Sequence, residues 1–117
     1  MTQAELTVEA HEEGPVLAIC GDVDLSSAER VREEIAAAVP HDANGIVVDL
    51  TKTTYLDSTG VRLLFELAER LQSRRQRLVL VVSEAALVRR VVVLTKLDDA
   101  VPMVETIDEG LAALRTP

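Results

Sequence analysis

Two β-rich runs, Leu6 to Ala10 and Val16 to Cys20, open the chain on either side of the polar stretch His11-Glu12-Glu13-Gly14-Pro15. Extended runs separated by a short turn predict an antiparallel hairpin. Ala28, Val31, Ile35 and Ala38 then recur at helical spacing until Pro40 stops the pattern, and Ser26 with Glu29 has the spacing of a capping box at its start. After the turn His41-Asp42-Ala43-Asn44-Gly45, the run Ile46-Val47-Val48-Asp49-Leu50 is too short for a helix and too apolar for an exposed edge. It predicts a central strand covered on both faces.

A loop from Thr51 to Leu56 leads to a helix from about Ser58 to Ser73, with Val61, Leu64, Phe65, Ala68 and Leu71 on one face. Leu78 to Val82 repeats the buried-strand pattern. Ser83 is placed to cap a third helix reaching Leu94 with Leu87, Val88, Val91 and Leu94 inward, although its three consecutive valines lower helical propensity. Val101-Pro102-Met103-Val104 predicts a short edge strand, because proline has no N–H for a central ladder. Thr106 and Glu109 form a second capping-box pattern ahead of Ile107, Leu111 and Leu114. Strands alternating with helices predict an α/β fold, one domain over residues 1–117, with a mixed but mostly parallel sheet opened by a hairpin and about four helices.

Composition narrows the function classes. Hydrophobic residues make up 48% of the chain and aromatics only 2%, so the core is aliphatic and offers no stacking surface for a cofactor; none is expected. A formal net charge of −8 argues against a direct nucleic-acid partner and against an anionic membrane surface, both of which need clustered cations. The arginines at positions 70, 74, 75 and 77 do cluster, at the end of a predicted helix where cations favour the negative dipole terminus. Cys20 has no cysteine to pair with and no Cys/His cluster beside it, so it reads as a core residue of an apolar run. Without a leader-like start or an apolar run near the roughly 20 residues of a membrane span, the expected location is cytoplasmic.

Phosphate-loop and dinucleotide-binding glycine motifs are absent among the five glycines. His11 and His41 fall in predicted turns, and nothing in their surroundings supports a Ser-His-Asp triad. Asp49 ends a buried strand, as does the phosphoacceptor of a receiver domain, with Asp22, Asp24 and Lys96 as loose counterparts of that fold's other site residues. The opening hairpin and the strand count argue against this reading. A simpler role for Asp49 is to accept backbone hydrogen bonds from the following loop.

The strongest chemical signal is Asp57-Ser58-Thr59-Gly60, a hydroxyl-rich tetrad where the loop meets the second helix. A helix start leaves N–H groups unpaired and carries partial positive charge, so a serine there tolerates phosphate. Taken alone, the tetrad also fits plain capping by Asp57 or Ser58 with close packing at Gly60.

Val47-Val48-Asp49-Leu50, the short loop, Leu56-Asp57-Ser58-Thr59-Gly60-Val61 and the aliphatic helix that follows together resemble the STAS domain family, specifically bacterial anti-sigma factor antagonists. Gly21-Asp22-Val23-Asp24 resembles the family's Gly-Glu-Leu-Asp turn. Val88-Arg89-Arg90-Val91 with Leu97-Asp98-Asp99 resembles its third helix and the following connection, and Asp108-Glu109-Gly110-Leu111 its last helix start. The resemblance implies a binding protein and not an enzyme. It implies phosphorylation of Ser58 by an anti-sigma factor with serine kinase activity, reversal by a phosphoserine phosphatase, and control of sigma-factor-dependent transcription by partner switching. A partner surface of Asp22, Asp24, Asp57, Ser58, Thr59, Gly60 and Arg62 follows from the same resemblance. The alternatives are a STAS scaffold or transporter-associated subunit whose tetrad is never modified, and the receiver-like phosphoacceptor at Asp49. Lys96 and the run Ser73-Arg74-Arg75-Gln76-Arg77 depart from family positions that often hold glycine, and neither touches Ser58.

Overall fold

The computed structural model describes residues 3–115. Its strands are β1 (Glu5–Glu9), β2 (Val16–Val23), β3 (Gly45–Asp49), β4 (Thr53–Leu56), β5 (Arg77–Val81) and β6 (Met103–Val104). Its helices are α1 (Ala28–Ala38), α2 (Ser58–Ser73), α3 (Leu87–Leu94), α4 (Leu97–Ala100) and α5 (Ile107–Arg115). The strand order is β1-β2-β3-β5-β6, with β4 pairing β2. The expected hairpin is antiparallel, Leu6 facing Ile19, and every other pairing is parallel, including Val47 with Val16 and with Val79.

Side-chain alternation explains why the central strands are apolar on both faces. Ile46, Val48, Leu78 and Leu80 join Val31 and Ile35 of α1, Leu64 and Leu67 of α2, Val92 of α3 and Leu97 of α4 in one core. Val47, Val79 and Val81 point the other way, with Val16, onto Leu111 and Leu114 of α5. The same alternation corrects Cys20. It lies on the face opposite Leu17 and Ile19, where α5 reaches only as far as Val16, and it is exposed.

Other sequence expectations also change. The segment read as a loop contains β4, which pairs β2 from Gly21–Thr53 to Val23–Leu56 across a register shift between Gly21 and Asp22. α1 starts at Ala28 after Ser27, without a side-chain cap, so Ser26 and Glu29 form no capping box. Ser83 does not cap α3 either: its carbonyl closes a turn with the Ala86 N–H at 3.1 Å, and the helix begins at Leu87. That later start turns Val88 and Val92 inward and leaves Leu87 76% and Leu94 74% exposed. Thr106 does cap α5, accepting the Glu109 N–H at 3.1 Å, while the Glu109 carboxylate meets the Thr106 hydroxyl instead of completing the box. Of the apolar residues of α5, Leu111 and Leu114 are buried and Ile107 is exposed.

Candidate functional site

Parallel pairing of β2 with β4 brings two chain segments to one end of the sheet: Asp22 sits opposite Tyr55, and Val23 opposite Leu56. β4 then runs almost directly into α2, and β2 reaches α1 through the short loop 24–27. Asp22, Asp24, Asp57, Ser58, Thr59, Gly60 and Arg62 therefore share one end of the molecule, although about thirty-five residues separate the two groups in sequence.

Asp57 leaves β4 in an extended conformation and caps α2, its Oδ1 accepting the N–H groups of Thr59 at 3.0 Å and Gly60 at 3.1 Å. Ser58 is the first helical residue and is exposed; Thr59 is half-buried and Gly60 buried. A Cβ at Gly60 would stand 2.5 Å from Leu56 Cδ1 and 3.3 Å from the Val23 carbonyl oxygen, so glycine lets α2 begin tight against the end of β2. The capping and close-packing roles are thus both present, and neither occupies the Ser58 hydroxyl.

Hydroxyl groups fix the acids around it. Asp24 Oδ1 accepts the Ser26 hydroxyl at 2.6 Å and the Ser26 N–H at 3.0 Å, while the Asp24 N–H donates to Ser27 Oγ at 3.1 Å. The Ser26 hydroxyl bond holds the Asp24 carboxyl below the usual aspartate value; desolvation opposes it as the next largest effect, and lesser bonds from the Ser26 backbone and from Ser27 add to the lowering. Asp22 Oδ1 accepts the Thr54 hydroxyl at 2.5 Å. Sequence reasoning missed Thr54 and assigned Ser26 to a helix cap. The usable signal was a serine two residues after an aspartate, the spacing of a local side-chain turn.

Arg62 is exposed one turn along α2 from Ser58. It borders an open groove of about 340 Å³ between α1 and α2, lined by Leu25, Glu29 and Arg32 on one side and Thr59, Arg62 and Glu66 on the other. Leu25, in the loop before α1, is 79% exposed.

The discounted groups are placed elsewhere. Asp49 accepts the Thr51 N–H at 2.9 Å, as its structural reading required. It lies level with Ala18 of β2, so Asp22 is four residues, roughly 13 Å, further along the strand, and the two acids cannot form a receiver site. His11 Nε2 is 2.9 Å from Glu9 Oε1 at the hairpin, and His41 is in an exposed turn. Arg77 donates to the Ala113 carbonyl at 2.9 Å and so ties β5 to α5, whereas Arg70, Arg74 and Arg75 lie exposed at the end of α2. Among the described residues no group of three or more His, Cys, Asp or Glu side chains is arranged to hold a metal ion, and no helix is long and apolar enough to cross a membrane.

A family model described as "Mlab, STAS domain" matches residues 6–105. The anti-sigma-F factor antagonist RsfB of Mycobacterium tuberculosis is 30% identical over 111 residues, covering 94% of this chain and 88% of that protein. The crystal structure of an anti-sigma factor antagonist from Mycobacterium paratuberculosis superposes with a TM-score of 0.85 at 29% identity, over 97% of this chain and 95% of the other. The Bacillus cell fate determinant SpoIIAA in its phosphorylated form shares the fold, with a TM-score of 0.67 at 20% identity over 95% of this chain and all of that one.

Proposed function

The chain belongs to the STAS domain family and, within it, to the anti-sigma factor antagonists, and from that premise we propose that Ser58 is the phosphoacceptor of a partner switch. In its unmodified form the antagonist binds an anti-sigma factor with serine kinase activity and so releases a sigma factor, in the cytoplasm. That kinase transfers the γ-phosphoryl group of ATP to Ser58 Oγ; the hydroxyl proton passes to a base of the kinase and ADP leaves. A phosphoserine phosphatase hydrolyses the ester and restores binding.

One observation carries this reading: an exposed serine hydroxyl stands immediately beyond a capping aspartate, at an end of the sheet that also gathers Asp22 and Asp24. A phosphate there adds about −1.5 to −2 charges at pH 7 among existing carboxylates. In an interface that charge must be desolvated, and a penalty of about 3 kcal/mol weakens binding roughly a hundredfold.

Incubation with the cognate kinase and ATP is expected to give one hydroxylamine-resistant phosphate, absent from Ser58→Ala, and Ser58→Asp is expected to bind the anti-sigma factor at least about tenfold more weakly. Phosphate at another residue, or full binding by Ser58→Asp, overturns the proposal. So does recovery from cells with transporter or scaffold components and an unmodified Ser58.

A further inference from the structure

We infer that Arg62 is the internal counter-ion of phosphorylated Ser58, so that modification withdraws a cation from the docking end while adding an anion; the inference rests on the phosphoacceptor role proposed above. The helix start alone does not neutralise this phosphate. Asp57 Oδ1 already accepts the N–H groups of Thr59 and Gly60, the donors that an anion at this helix terminus would otherwise use. The phosphate also hangs from the residue next to that carboxylate, an arrangement that favours a cation reaching in from elsewhere on the helix.

Arg62 has the right spacing. Residues four apart on a helix have Cβ atoms about 5–6 Å from each other, and an anion on the N-terminal side of a cation is the favourable order. Both Ser58 and Arg62 are exposed on α2. A guanidinium reaching back one turn meets phosphate oxygens with paired N–H donors, a geometry that a point-charge ammonium does not reproduce.

Arg62 is also uncommitted. Among the described residues it has no carboxylate within ion-pair distance, even though Glu66 lies one turn further along the same helix. Its counterparts on α1 are engaged: Arg30 stands 3.4 Å from Glu34, and Arg32, across the groove, 3.9 Å from Glu29. In the unmodified protein Arg62 thus faces outward as a free cation at an end dominated by Asp22, Asp24 and Asp57. Once Ser58 is phosphorylated, the same side chain turns inward along its own helix. A partner that engaged Arg62 loses that contact in the same event that confronts it with a dianion.

The test uses the full chain with phosphoserine installed at position 58 during synthesis, and follows the phosphate by phosphorus NMR as pH is varied. The charged groups on the elements packed at this end are Asp57, Asp22 and Asp24, Glu29 and Arg32 from α1, Arg62 and Glu66 on α2, and Arg89 and Arg90 on α3, which packs against β4. A neighbouring cation favours the dianion, so the second phosphate ionisation, ordinarily near pH 6, is expected roughly half a unit lower in the parent than in Arg62→Gln, with Arg62→Lys between them and Arg32→Gln matching the parent. Identical titrations for the parent and Arg62→Gln overturn the inference, as does an equal displacement in Arg32→Gln. Because the phosphoserine does not depend on a kinase, a failed kinase assay sinks the function proposed above without affecting this readout. An unshifted titration in a protein that the kinase does modify sinks the counter-ion alone.

Discussion

At the scale of single residues, the tetrad divides its work so that the serine is left free. Asp57 holds the backbone of α2, and Asp57→Ala is expected to cost about 1 kcal/mol in urea unfolding, the usual loss of a helix cap. Gly60 answers a different need. A methyl at that position meets Leu56 Cδ1 at 2.5 Å, so Gly60→Ala is expected to cost about 1–3 kcal/mol by overpacking despite alanine's better helix propensity. Equal stability of Gly60→Ala and the parent would show that the β4–α2 junction relaxes around the methyl. Asp24 supplies a pH signature: its carboxyl, lowered chiefly by the Ser26 hydroxyl, is expected to titrate below ordinary aspartate, and Ser26→Ala to move it back up. Because the folded value is depressed, this contribution is present above the ordinary aspartate value and is lost as pH falls through the folded one. The tetrad was legible because its residue types and its place before a helix are local facts. The Thr54–Asp22 bond was not, since it spans thirty-two residues and exists only once β4 pairs β2.

Among the elements, sequence pattern succeeded where a segment buries a whole face and failed where a neighbour decides. β3 and β5 read as strands because both of their faces are covered. β4 reads as a loop because Thr53-Thr54-Tyr55-Leu56 buries only its two end residues and gains strand geometry by pairing with Gly21 to Val23 at the end of β2. α4 is four residues long, too short for any helical period, and follows Lys96 at a φ of 62°. α3 shows what an incorrect start does to a correct helix: moving its first residue to Leu87 changes which apolar residues carry stability. Leu97→Ala, fully buried on α4, is expected to cost about 2–5 kcal/mol, whereas Leu87→Ala and Leu94→Ala are expected to stay within about 0.5 kcal/mol of the parent. Urea denaturation of the three variants checks the assignment. A large loss for Leu94→Ala would return that residue to the core, where sequence periodicity placed it.

For the whole molecule, the mostly parallel sheet separates the part that holds the fold from the proposed partner surface. Both cores lie along the strands, on the α1–α4 face and under α5, while Ser58 and its acidic neighbours stand at the strand ends where the helices begin. Phosphorylation of Ser58, as proposed, would therefore act on a surface of the folded domain. The helix-dipole gain for an anion near the start of α2, about 0.3–1 kcal/mol, opposes its repulsion from Asp57, and the net change in stability is expected to stay below about 1 kcal/mol. For a chain of this size that corresponds to a shift in Tm of no more than about 5 °C. Calorimetry of the phosphoserine-58 protein beside the unmodified one measures the shift, and amide NMR locates it: perturbed resonances are expected in residues 22–32 and 53–66, with β3, β5 and α5 unchanged. Loss of cooperative melting, or changes spread through α5, would mean that the phosphate controls binding by loosening the fold. An intact melt together with a roughly hundredfold weaker anti-sigma complex places the whole effect in the interface.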